Sequence, residues 1–344
     1  MTVEQRIDAF IRLGDAIRWA LEGRPSALPT AIAMAELENP WFTRSNIERM
    51  LSEIATRWLT PEALRPWALS YIKSTDDAVE PKRVGVVAAG NIPLVGFHDL
   101  LCVLVAGHAL VLKPSSRDSA LMKAIRAMLI GVEPQFDGLF ELTEGQLRGV
   151  DAIIATGGDG MAHVMRHYFE RYPSIIRQHR NAVALIDGEE TDDELDALGF
   201  DIFSYFGLGC RNVSLLLIPD GYKMEHLLGR LLSWRPLLQH HKYANNYEYH
   251  RAIFALNREP HLDLGFALVR ESEALDSPIG VLHYHQYASQ RAAVDFLQRN
   301  AERIQCVVGN PSRHECVVDF GKAQCPSITD YADGVDTISF LLSL

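Results

Sequence analysis

The sequence predicts an α/β protein: a helical N-terminal segment, then a Rossmann-like nucleotide-binding unit, then a second α/β unit carrying a cysteine loop. Three observations lead there. Apolar residues recur at helical spacing through roughly the first 75 residues. Strand-like and helical segments then alternate from Arg83 onward, the signature of a doubly wound sheet. Several of those strands run straight into short turns of Gly, Asn, Ser or Pro, the places where an open parallel sheet binds ligands.

The helical segment rests on Ile7, Phe10, Ile11, Leu13, Ile17, Trp19, Ala20 and Leu21 within residues 4–22, and residues 43–58 and 61–71 continue the pattern. Residues 76–81 form a polar connector closed by Pro81. Beyond it the reading is strand 84–89, helix 97–106, strand 109–113, helix 119–130, strand 152–156 and helix 161–172. A second unit opens near residue 179 with strand 181–186, helix 192–203 and strand 214–219. The domain expectation is therefore residues 1–178, residues 179–310 and a C-terminal segment 311–344, whose apolar end, 337–344, is a candidate edge strand for oligomerisation.

Composition narrows the function classes. At 344 residues and 48% hydrophobic content the chain can bury a large core. A net charge of −11 disfavours a nucleic-acid partner, which needs a basic footprint. The N-terminus is charged and amphipathic, with neither a signal-peptide core nor a membrane span, so a cytoplasmic location is expected. Cys102, Cys210, Cys306, Cys316 and Cys325 are odd in number and lack CxxC spacing, which predicts reduced thiols. His240, His241, His250, His283 and His285 cluster without HExxH spacing, and no metal is expected.

Four stretches could carry chemistry. Tyr205-Phe-Gly-Leu-Gly-Cys210-Arg-Asn-Val-Ser214 sets a thiol after two glycines at a helix-to-strand junction. Arg211 beside it would favour the nucleophilic thiolate, although a free cysteine is also among the most commonly buried residues. Gly85-Val-Val-Ala-Ala-Gly-Asn-Ile-Pro93 ends a strand in an amide, Asn91, that can serve an oxyanion or simply the turn. Leu112-Lys-Pro-Ser-Ser-Arg-Asp118 ends a strand in Lys113, Ser115, Ser116 and Arg117, suited to ribose hydroxyls and phosphate, or to a solvated loop with a helix cap at Ser116 or Asp118. Ala152-Ile-Ile-Ala-Thr-Gly-Gly-Asp-Gly160 leads a buried strand into Thr156, Gly157 and Gly158, a turn that lets backbone approach a dinucleotide.

In chain order, the Asn turn, the strand ending in Lys-Pro-Ser, the Thr-Gly-Gly turn and then the cysteine loop, the four stretches resemble the aldehyde dehydrogenase superfamily, and more particularly its LuxC-like acyl-CoA reductases. Asn91-Ile-Pro-Leu-Val-Gly-Phe-His-Asp99 and Ala323-Gln-Cys-Pro-Ser-Ile-Thr-Asp-Tyr-Ala-Asp-Gly334 look like that family too, so the likeness spans about residues 80–340. It implies an aldehyde dehydrogenase-like fold. It also implies Cys210 as the acylated nucleophile, Asn91 and the Cys210 N–H as oxyanion donors, Lys113 on the adenosine ribose, and Gly157 and Gly158 along the dinucleotide.

Three departures refine what the resemblance implies. Ser116 stands where aldehyde-oxidising members usually carry a ribose-binding Glu, and with Arg117 beside it this favours NADPH, NADH being the alternative. The stretch matching their hydrolytic Glu, residues 174–182, holds no carboxylate, as a reductase working from a thioester requires; Gln178 or His179 could act there instead. Ala274-Leu-Asp-Ser-Pro278 replaces the Glu-X-Phe-Gly-Pro stretch, leaving Glu271, Glu273 or Asp276 as substitutes. The expected partners are an acyl-CoA or acyl-carrier thioester, an acyl-activating protein and further copies of the chain. The alternatives are aldehyde oxidation to the acid, a nucleotide or lipid kinase built on the GGDG turn with Asp159, and a non-catalytic module that keeps the fold.

Overall fold

Thr2 opens the first helix with a capping box: its hydroxyl accepts the Gln5 N–H while the Gln5 side chain accepts the Thr2 N–H. In this helix, α1 (Val3–Leu21), Ile7, Phe10, Leu13 and Ile17 are fully buried, one residue per turn along one face. The computed structural model describes residues 1–72, 80–315 and 317–344, and of Asp159 the backbone alone. Cys316, most of the 76–81 connector and the Asp159 side chain lie outside the described residues. The chain divides into one unit of Met1–Gln178 with Ser327–Leu344 and a second of His179–Pro326.

In the first unit α1 is followed by α2 (Leu28–Glu38), α3 (Arg44–Glu53), a single π-helical stretch at Ile54–Trp58, and α4 (Pro61–Tyr71). Thr43 and Thr60 cap α3 and α4 through their hydroxyls. The sequence pattern gives no sign of α2, which buries only Leu28, Ile32 and Ala35. The sheet follows: β1 (Arg83–Val87), α5 (Phe97–Ala106), β2 (Ala109–Lys113), α6 (Ser119–Val132), β3 (Phe140–Leu142), β4 (Ala152–Thr156), α7 (Asp159–Tyr168) and β5 (Ser174–Arg177). Its order is β3-β2-β1-β4-β5, with every pairing parallel. The helix expected over 161–172 ends earlier, at Tyr168, and residues 169–172 are turn and bend ahead of Pro173.

The C-terminal residues fold onto this unit as a helix, Thr337–Leu342, and so are not the edge strand expected at 337–344. Asp336 accepts the Ser339 N–H as an N-cap, and the three-residue spacing of Ile338 and Leu341 puts both in the core. His108, fully buried in the turn after α5, bonds the Leu341 carbonyl at 2.9 Å.

The second unit contains β6 (Asn181–Leu185), α8 (Asp192–Phe203), β7 (Val213–Pro219), α9 (Glu225–Leu231), α10 (His241–Asn257), β8 (Leu262–Asp263), β9 (Leu268–Glu271), β10 (Val281–Tyr287), α11 (Gln290–Arg299) and β11 (Ile304–Val308). Strand order is β11-β6-β7-β10-β9-β8, parallel except for β8 with β9. Leu215, Leu216, Leu217 and Ile218 of β7 are all fully buried, as a parallel strand covered on both faces requires. A second capping box, Thr191 with Glu194, starts α8.

Candidate active site

The register of the first sheet aligns Val87 of β1 with Lys113 of β2 and with Ala155 of β4. Residues 88–93, 113–117 and 156–158 therefore leave three adjacent parallel strands side by side at the C-terminal edge. β1 separates β2 from β4 at the point where the strand order reverses, which is the ligand-binding crevice of doubly wound sheets. Asn91, Lys113, Ser115, Ser116, Arg117, Thr156, Gly157 and Gly158 are thus gathered at one edge of one unit. Lys113 and Ser115 are half-buried there, whereas Ser116 and Arg117 are exposed.

Several contacts fix these turns. The Ala88 N–H donates to the Lys113 carbonyl at 3.1 Å. A Cβ on Gly90 would lie 2.4 Å from Ser115 Oγ, so the close approach of the two turns requires glycine. From α2, the buried Asn39 amide donates to the Gly90 carbonyl at 3.1 Å. Leu94 has a left-handed φ of 56° and gives its N–H to Asp118 at 2.6 Å. Asp118 is buried, with one oxygen unpartnered, and burial pushes its carboxyl well above the usual range. The cap expected at Ser116 or Asp118 comes from elsewhere: Glu38 of α2 accepts the Ser119 and Ala120 N–H groups, both at 3.0 Å.

α7 begins at Gly158 with no side-chain cap, and a Cβ there would meet nothing within 4 Å. The backbone N–H groups at the start of this ten-residue helix suit the pyrophosphate of a dinucleotide.

Residues 174–182 hold no carboxylate, and within them Arg177 is buried at the end of β5. Its Nη1 donates to both Asp99 carboxylate oxygens, at 2.8 and 2.6 Å, and its Nη2 donates to the Thr337 hydroxyl at 2.9 Å. All three residues are buried. Burial lowers the Arg177 pKa, but the charge of Asp99 and its hydrogen bonds together outweigh it and hold the guanidinium above its usual value.

Cys210 is half-buried in the second unit, in the turn that joins α8 to β7. The approach to it is unusual. Tyr205 (φ 52°, ψ 27°), Phe206 (φ 60°, ψ 24°) and Gly207 (φ 78°) are consecutive left-handed residues, and both aromatic rings are buried. Such conformations cost about 1–3 kcal/mol each for residues other than glycine and persist where the surroundings over-determine them. The His240 ring lies 4.2 Å from that of Phe206 while its Nδ1 accepts the Tyr243 N–H, which opens α10.

Asn212, which the motif contains but its residue type alone does not single out, organises the turn. Its amide donates to the carbonyls of Asp201, Ile202 and Ser204 at 3.2, 3.2 and 2.7 Å, and its oxygen accepts the Gly209 N–H at 2.8 Å. The fully buried Asp201 carboxylate holds a second loop, accepting from Gly321 at 2.6 Å and Ala323 at 3.0 Å. Burial raises Asp201 from 3.8 to about 7, partly offset by those two N–H groups. The loop 274–278 is tied to the same strand start, since Ser214 donates to the Leu275 carbonyl at 2.5 Å and His283 bonds Ala274 at 2.9 Å. Among the carboxylates there, Glu273 faces His285 at 3.9 Å and Asp276 faces Arg303 at 3.5 Å, both on the surface.

Among the described residues no three His, Cys, Asp or Glu side chains converge as a metal site, and no helix is long and apolar enough to cross a membrane. No protein-family model and no curated protein sequence matches the chain. Solved structures do. Aldehyde dehydrogenase 21 of Physcomitrella patens, solved with the reaction product succinate, aligns with 100% of this chain and 84% of its own at a TM-score of 0.70 and 12% identity. The chain has an aldehyde dehydrogenase-like fold. An NAD-dependent aldehyde dehydrogenase of Sinorhizobium meliloti aligns over 90% of this chain and 70% of its own (TM-score 0.64, 14% identity). The indole-3-acetaldehyde dehydrogenase AldA of P. syringae, solved as a mutant with NAD+ and IAA, does so over 91% and 73% (TM-score 0.62, 14% identity). At these identities the likeness is one of fold, and the chemistry has to be argued from the site.

Proposed function

We propose that this protein is an oxidoreductase that reduces an acyl thioester, a fatty acyl-CoA or acyl-carrier thioester, to the aldehyde with NADPH. The observation that carries the choice is residues 174–182, the stretch matching the hydrolytic Glu of aldehyde-oxidising members, which hold no carboxylate. Aldehyde oxidation needs a base to activate water against the acyl-enzyme, and the charged group buried in this stretch is the Arg177 guanidinium, held to Asp99. An acyl group protected from water persists until it is reduced or returned to its thiol carrier.

In this reading the Cys210 thiolate attacks the acyl carbon, and the carbonyl electron pair moves to oxygen. Re-forming the C=O bond breaks the bond to the carrier sulfur, which leaves as a thiol after taking a proton from solvent. NADPH, when bound, supplies a hydride to the acyl carbon. The thiohemiacetal then collapses, returning the electron pair to the Cys210 sulfur and releasing the aldehyde. Asn91 and the Cys210 N–H serve as oxyanion donors in both halves. Lys113, with Ser115, Ser116 and Arg117, would hold the adenosine ribose and its 2′-phosphate, and Thr156, Gly157 and Gly158 would line the dinucleotide.

Intact-mass analysis and peptide mapping after incubation with long-chain acyl-CoA, without nicotinamide, test this directly. The expected result is a thioester adduct on Cys210 that NADPH discharges as aldehyde; Cys210→Ala gives no adduct and still binds nucleotide. Acid formed from aldehyde and NAD(P)+ without CoA, or full reductase activity in Cys210→Ala, would overturn the proposal.

A further inference from the structure

Asn212 takes no part in the chemistry above, yet its bonds converge on the residue that does. The three carbonyls it meets lie at the end of α8, where helical backbone leaves acceptors unsatisfied. Asn212 is 3% exposed, so little water can replace those bonds. It is also joined to Gly209 twice: its side-chain oxygen accepts the Gly209 N–H, and its own N–H donates to the Gly209 carbonyl at 3.0 Å. Cys210 and Arg211 are the two residues inside that stitched turn. The segment leading in is the strained pair Tyr205 and Phe206, which needs outside restraint to stay left-handed. The α8 end that Asn212 grips is itself anchored, through Asp201, to the backbone of Gly321 and Ala323.

We propose that Asn212 is a positioning residue, which fixes the Cys210 turn to the end of α8 and so holds the thiol and the Cys210 N–H in their reactive geometry. The proposal deepens the reading of Cys210 as a nucleophile and rests on it. No other polar side chain of the same size fits both halves of the role. The amide shares its two N–H donors among three carbonyls and accepts one N–H, so an isosteric Asp keeps the acceptor and turns a charged oxygen toward the carbonyls.

The test is iodoacetamide alkylation of Cys210 in the full chain, followed by peptide mapping across pH, for Asn212→Asp and Asn212→Ser, with melting temperatures alongside. Asn212→Asp is expected to slow alkylation at neutral pH by about tenfold, because releasing the turn takes the thiol out of the setting that favours its thiolate and brings a carboxylate near it. It should also move the midpoint to higher pH, because a carboxylate two positions along the chain disfavours the thiolate. Asn212→Ser keeps one donor, and should fold and fall between Asn212→Asp and the parent. If Asn212→Asp does not fold, Asn212→Ser decides alone. Alkylation by the folded variants within about twofold of the parent, with the same midpoint and only a lower melting temperature, would reduce Asn212 to a structural role. The alkylation needs neither thioester nor nucleotide. Slowed alkylation in a protein that reduces no acyl-CoA would therefore leave the positioning role intact and remove the reductase, while unchanged alkylation in a working reductase would do the reverse.

Discussion

Asp201 makes the stability of the second unit depend on pH in a direction opposite to that of most carboxylates. Burial holds its pKa at about 7 instead of 3.8, so between those values the folded chain keeps a proton that the unfolded chain has released. The stabilisation is complete below about pH 4, declines as pH rises, and is gone once pH passes about 7. A shift of roughly three units corresponds to about 4 kcal/mol. Asp201→Asn removes the titration and keeps the shape, at a constant cost of about 1 kcal/mol because its NH2 must face one of the two backbone N–H donors. Urea titrations from pH 4 to 8, read by pulsed hydrogen exchange in peptides covering 196–206 and 318–326, follow this unit by itself. The variant should gain up to about 4 kcal/mol on the parent between pH 4 and 7, and the difference should be flat above that. Stability curves that stay parallel to within about 1 kcal/mol would show that Asp201 is ionised throughout and that its two N–H partners outweigh burial.

Two further outcomes follow from the first unit. Asp99→Ala leaves the Arg177 guanidinium buried without its carboxylate partner and should cost about 3–5 kcal/mol in urea unfolding; the double variant Asp99→Ala, Arg177→Met should recover most of it, and a single-variant loss under about 1 kcal/mol would contradict the pairing. Gly90→Ala places a methyl 2.4 Å from Ser115 Oγ and 2.6 Å from its Cβ. It should cost about 1–3 kcal/mol in urea unfolding, with Ser115→Gly recovering most of that loss.

The first sheet was legible because its strands are apolar runs punctuated by turn residues. Ala109–Lys113 and Ala152–Thr156 match the sequence reading at both ends, as does the α5 helix, Phe97–Ala106, which stops at Gly107 in the left-handed conformation. β3 escapes notice because three residues carry no usable period. β10 escapes because His283, Tyr284, His285 and Gln286 break the apolar run that a buried parallel strand should show; His283 is tolerated there through its bond to Ala274. The C-terminal helix was open to either reading, since six residues with an apolar majority fit an edge strand as well as a helix, and the Asp336 cap is what favours the helix.

The site divides along the same line between local and distant contacts. Turn residues at strand ends announce themselves, because Gly, Asn and Pro are selected by the backbone they sit in. The groups that hold those turns still do so from far along the chain: Glu38 caps residues 81 and 82 positions away, and Asp201 reaches 120 and 122 positions to Gly321 and Ala323. No local pattern encodes a partner at that distance. One signal is readable in retrospect. Asp201 falls three residues after Leu198 and next to Ile202, on the face of α8 that Leu195 and Leu198 bury. A carboxylate on an apolar face has to be protonated, paired or hydrogen-bonded, since water is not there to solvate it. An acidic residue in the last turn of a helix that leads straight into a candidate nucleophile loop is therefore a reason to look for a second loop bound to the same turn, and in this chain that loop is 321–323.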